Sequence, residues 1–160
     1  MAHHAPAGVT RRLFQLTEIE QLKTYQITVS ETQAQAIETA CDLLARIMIG
    51  QSAEIVRHLP LDKHHQINTW DLGRAIEAIT KPPCNLEMNA SYGVGWSEKS
   101  DMLIDLVEVI RHKRAWDKAR AENLLTPSGG RDHATMGGVC YDAPMQWARN
   151  CPLARIEAVE

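Results

Sequence analysis

Residues 100–121 read SDMLIDLVEVIRHKRAWDKARA: a serine able to cap, an acidic first turn, an apolar stripe, then a dense run of cations. At about 100° per residue, Leu103, Leu106, Val107 and Ile110 share one arc, which predicts a core-facing stripe. The same arc continues into Arg114 and Asp117, while Met102, Val109, His112 and Trp116 lie on a flanking one. The stretch therefore predicts a long helix over about 100–122. It begins as core and ends with Arg111, His112, Arg114 and Trp116 crowded into two turns. That end has two readings: charges solvated at the edge of a domain, or a site where guanidinium groups fork an anion and an indole stacks on a ring.

Upstream, Thr24–Val29 (TYQITV) alternates apolar and polar residues and predicts a short strand. Ser30 with Gln33 forms a capping-box signature, and a helix is expected over 31–49 with Ile37, Ala40, Leu44, Ile47 and Met48 on its apolar face. Gly50 fits the left-handed position beyond its end. A shorter helix is expected over about 52–59, closed by Pro60, and a third over 70–80, capped by Asn68 or Thr69, with Leu72, Ile76 and Ile79 inward. Pro82 and Pro83 stop it. Downstream, 136–141 and 153–159 carry weak strand patterns that pair most economically with 24–29. The expected fold is thus α+β: a mostly helical single domain over 23–160 with a small antiparallel sheet, preceded by a flexible arm over 1–22.

Composition narrows the function classes. The 160 residues carry a net charge of −3, which argues against general nucleic-acid binding but leaves room for a local basic pocket. No apolar run is long enough for a membrane span, and no signal-peptide pattern opens the chain, so a cytoplasmic protein is expected. Cys41, Cys84, Cys140 and Cys151 stand singly and read as free thiols. His64 and His65 are adjacent and read as loop histidines, and no metal-ligand spacing or cofactor motif is found.

The long loop over 84–99 contains NASYGVGW at 89–96 and leads directly into the long helix. Loops of this length in a small domain often carry function. Asn89 and Ser91 offer polar edges, and Tyr92 and Trp96 offer ring faces. Folded back, the loop would meet Arg111, His112, Arg114 and Trp116, giving a pocket of rings and guanidinium groups suited to a planar anion. No nucleophile-and-base pair stands out, so no catalytic residue is assigned.

NASYGV at 89–94 followed by VIRHKRAWD at 109–117, with Ile49-Gly50-Gln51 ending the first helix, resembles a group of small accessory proteins of tailed phages and prophages. The likeness spans about 24–118 plus the ending at 139–159, and Lys113-Arg114 make this chain more basic than the motif requires. The resemblance implies work in the host cytoplasm, of the counter-defence kind. The expected function is sequestration of a small anionic ligand, such as a cyclic or signalling nucleotide, without catalysis. Two alternatives stay open: an inhibitor or assembly factor acting on a host or phage protein, and a hydrolase of such a nucleotide. A homodimer is compatible with either.

Overall fold

Ser30 and Gln33 reciprocate as their spacing predicts. The Ser30 hydroxyl accepts from the Gln33 N–H at 3.3 Å, and the Gln33 side chain accepts from the Ser30 N–H at 2.8 Å. In the computed structural model, which describes residues 24–61, 68–132, 136 and 138–157, this cap opens α1 (Glu31–Met48). The arm at 1–22 and the histidines at 64, 65 and 133 fall outside the described residues. A 3-10 turn (Ser52–His58) follows, then α2 (Thr69–Thr80), a 3-10 turn (Pro82–Cys84), α3 (Glu98–Ala121) and a last 3-10 turn (Val139–Tyr141).

The α1 stripe is rotated from the expected one. Ala45 is buried and Cys41 half-buried, whereas Ala40 is exposed and Leu44 is 48% exposed. Glu38, on the same arc as Cys41, Ala45 and Ile49, faces α3 and pairs there with Arg111 and Arg114. Burial pushes the Cys41 thiol upward, so it stays protonated among apolar neighbours. Gly50 takes the expected left-handed conformation (φ 82°), and a Cβ there would sit 3.2 Å from the Ala90 carbonyl oxygen.

The expected 52–59 helix is a 3-10 turn packed on α2. Ser52 and Thr80 hydroxyls meet at 2.6 Å, and Gly73 lets the turn approach, since a Cβ there would lie 3.2 Å from Ala53 Cβ. Gly73→Ala is expected to be near neutral, because the gain in helix propensity of about 1 kcal/mol offsets a small shift. Gly73→Val is expected to cost roughly 1–3 kcal/mol in urea unfolding, by forcing the two elements apart. Asn68 caps α2, accepting from the Trp70 N–H at 3.0 Å, and Ile79, expected inward, is 74% exposed.

The expected sheet is absent: among the described residues there is no strand, only an isolated antiparallel bridge between Leu125 and Arg131. The fold is mostly helical. Residues 24–29 and 153–157 are irregular, and 139–141 form a 3-10 turn. The physical reason lies in α3. Its start is capped by Ser97, one turn earlier than Ser100, which is itself buried and donates back to the Ser97 carbonyl. Along one face, side chains of α3 bind the backbone of the tail. Trp116 Nε1 donates to the Tyr141 carbonyl at 3.2 Å, and His112 Nδ1 lies 3.1 Å from the Cys140 carbonyl. Glu108 accepts from the Met145 N–H, Asp105 from the Trp147 and Ala148 N–H groups, and Glu98 from the Asn150 N–H. The tail thus runs antiparallel to α3, with several of its backbone groups bound by α3 side chains rather than by a neighbouring strand. α3 is covered by α1 on one side and the tail on the other; Val107, Val109, Ile110 and Ala119 form its buried apolar part, beside buried Ser100, Asp101 and Asp105.

Candidate functional site

The 89–96 loop is tied down at three points. The Tyr92 N–H donates to the Ile49 carbonyl at 2.8 Å, joining it to the end of α1. The Gly95 N–H donates to Asp101 at 2.9 Å, joining it to the first turn of α3. Lys81, 3% exposed, donates from Nζ to the carbonyls of Met88 (2.9 Å) and Ala90 (3.0 Å), with Glu77 at 3.5 Å.

These ties separate the predicted site residues into three groups. Tyr92 and Trp96 stack on each other, centroids 3.7 Å apart and planes within 19°, so each ring covers a face of the other. Arg111 and Arg114 both turn to Glu38, at 3.1 and 2.6 Å, and His112 and Trp116 hold the tail. From Asp101, where the loop docks, Arg111 is ten residues on, about 15 Å along the helix. The loop rings and the α3 cations therefore do not line one cavity. The Arg114 Nε is buried without a partner among the described residues, but the other end of its guanidinium is engaged by Glu38.

Asn89 and Ser91 instead line a cleft of about 620 Å³ between the 52–58 turn, α2 and the loop. The cleft is broadly open to solvent rather than an enclosed cavity. Its opposite wall carries Trp70, Arg74 and Glu77 of α2 together with Glu54 and Arg57 of the turn. Trp70 is 72% exposed, which leaves its ring free for stacking. Arg57 pairs with Glu54 at 2.8 Å and Arg74 with Glu77 at 3.7 Å, both arginines largely exposed. Such surface pairs contribute only about 0–1 kcal/mol, so an incoming anion can displace the carboxylates. Three cations (Arg57, Arg74, Lys81) face two carboxylates (Glu54, Glu77), so the walls carry a net +1.

Trp70, Arg57 and Arg74 were not among the predicted site residues. The signal for two of them was present: Trp70, Arg74, Glu77 and Lys81 fall on one arc of α2, opposite its apolar face. Among the described residues no three His, Cys, Asp or Glu side chains converge as a metal site would require, and no helix is long and apolar enough to cross a membrane. Family models, curated proteins and solved structures give no match to this chain.

Proposed function

We propose that this chain is a non-catalytic binding protein whose cleft takes a small planar anion, with a cyclic or signalling nucleotide as its concrete form. The observation that carries the reading is the exposed Trp70 indole beside Arg57 and Arg74, on a cleft whose other wall offers Asn89 and Ser91. Stacking on Trp70 would hold the base, the guanidinium groups would hold phosphate, and the amide and hydroxyl would read polar edges. A net wall charge of +1 favours a ligand with one charge per phosphate over a polyphosphate. The likeness to phage accessory proteins supports sequestration as the use of such binding.

Titration of the purified protein with a panel of cyclic nucleotides, linear monophosphates and ATP, followed by tryptophan fluorescence and calorimetry, tests this. One cyclic nucleotide is expected to saturate, with ATP weaker. Trp70→Ala should weaken binding about tenfold or more, in line with roughly 1–3 kcal/mol per stacked base. Trp96→Ala, outside the cleft, should leave it unchanged. Absence of saturable binding across the panel would sink the proposal.

A second reading, docking on another protein, is favoured by a separate observation. Thirteen large apolar residues are exposed among the described residues, while only seven larger than alanine are buried. A host protein retained on the purified chain with no nucleotide bound would favour that reading.

A further inference from the structure

We infer that Glu54 reads the base of the ligand and makes the cleft select guanine over adenine. This rests on the nucleotide reading above and names the base which that reading leaves open. A 3-10 turn eclipses side chains three residues apart, so in the 52–58 turn Glu54 and Arg57 stand one above the other on one edge. Both line the cleft, joined at 2.8 Å. The Ser52 hydroxyl meets that of Thr80, whereas Val56 lies 3.9 Å from where a Gly73 Cβ would stand, so the turn runs antiparallel to α2. Glu54 is therefore level with the middle of the cleft, between its Trp70 end and its Lys81 end.

A phosphate that draws Arg57 and Arg74 to itself leaves the two cleft carboxylates unequal. Glu77 keeps Lys81 at 3.5 Å. Glu54 pairs with Arg57 alone among the described residues. The next cation, Arg46, is engaged by Asp42 at 2.8 Å and by the Gln51 side chain at 3.0 Å, and Glu54 acts on it only through space. With its side chain 28% exposed, the released Glu54 carboxylate is only partly hydrated, so it favours a ligand that brings donors to it. Guanine carries a ring N–H beside an amino group, two adjacent donors that match the two carboxylate oxygens. Adenine sets its amino group beside a ring nitrogen lone pair, which the second oxygen repels. A polar group built to be paired rejects the analogue that leaves it unpaired.

Calorimetric titration of the full chain with cGMP, cIMP and cAMP, and with linear GMP and AMP, tests this. The parent is expected to bind cGMP about tenfold or more tighter than cAMP, the discrimination typical of a bidentate pair to a base edge. Binding of cIMP, which keeps the ring N–H and lacks the amino group, should fall between them. Glu54→Gln presents one acceptor beside one donor, the complement of adenine's edge, so it should weaken cGMP and strengthen cAMP. Its thermal midpoint should stay close to the parent's, because the only ion pair lost is an exposed one. Arg57→Gln, which removes a phosphate contact common to both ligands, should weaken them equally and leave their ratio unchanged. A purely structural role for Glu54 would likewise move both affinities together. Equal binding of cGMP and cAMP by the parent overturns the inference while the cleft reading stands, and so does a ratio that Glu54→Gln leaves unaltered. A parent that saturates with none of these nucleotides overturns both.

Discussion

Asp105→Ala is expected to lower stability by roughly 2–5 kcal/mol, the largest effect of any single change on α3. Asp105 is 4% exposed and accepts the N–H of Trp147 through Oδ1 at 2.8 Å and that of Ala148 through Oδ2 at 3.0 Å. Ala148 is itself 2% exposed, so water does not readily replace the lost acceptor. Each buried donor left unpaired costs about 1–3 kcal/mol, and alanine strands two. For a chain of this size the thermal midpoint should fall about 5–15 °C. Asp105→Asn keeps one oxygen but turns an amide N–H toward the second donor, and should cost about half as much. Glu108, whose bonds to the Met145 N–H and the Trp147 indole lie nearer solvent, should cost about 1 kcal/mol or less on truncation. Thermal unfolding with amide exchange at Trp147 and Ala148 reads the effect. Asp105→Ala within about 0.5 kcal/mol of the parent would mean that other contacts hold the tail.

The same carboxylates show where sequence reading stops. Caps are local, so Ser30 with Gln33, Asn68 and the left-handed Gly50 were legible from neighbouring residues alone. Alternation in TYQITV predicts a strand that the structure does not contain, because a period of two specifies a face and not a partner. The supposed partners at 139–141 and 153–157 are not paired as strands, and α3 instead binds the tail backbone at 140–150. Glu98, Asp105, Glu108, His112 and Trp116 do fall on one arc of α3, and arithmetic shows that much. What it does not show is that the chain's own tail occupies the arc. Acidic residues early in a helix read first as dipole complements.

Long-range pairing explains the reassigned cations. Arg111 and Arg114 look like an anion fork in isolation, yet Glu38 lies against both across 73 and 76 residues of chain. Glu38 shares an arc of α1 with Cys41, Ala45 and Ile49, so the face turned to α3 carries an unforeseen carboxylate that takes up both arginines. The motif residues of α3 thereby acquire structural work: Arg111 and Arg114 fasten α1, and His112 and Trp116 fasten the tail. The proposed binding site lies instead at α2, where Trp70 is exposed and Arg74 makes only a long surface pair with Glu77.

Lys81→Met is expected to cost about 3 kcal/mol or more and to disable the cleft at the same time. The Lys81 side chain is 4% exposed, and its stem packs within 3.6 Å of where a Gly50 Cβ would stand. Methionine keeps most of that stem but removes the ammonium. The Met88 and Ala90 carbonyls then lose their donor, and Glu77, at 15% exposure, is left beside only the distant Arg74. Breaking a buried pair on one side typically costs about 3–5 kcal/mol, because the remaining charge is uncompensated. Adding Glu77→Gln should therefore recover roughly 1 kcal/mol or more, while Glu77→Gln alone destabilises. The double variant separates two roles of the lysine. If the ion pair is what matters, the proposed nucleotide binding returns along with stability. If the carbonyl bonds are what matters, stability recovers in part, but Asn89 and Ser91 stay unplaced and binding remains lost. The short carbonyl distances, against 3.5 Å to Glu77, favour the second outcome. Lys81 is then a positioning residue, holding the 88–91 wall against α2 at the width the cleft requires.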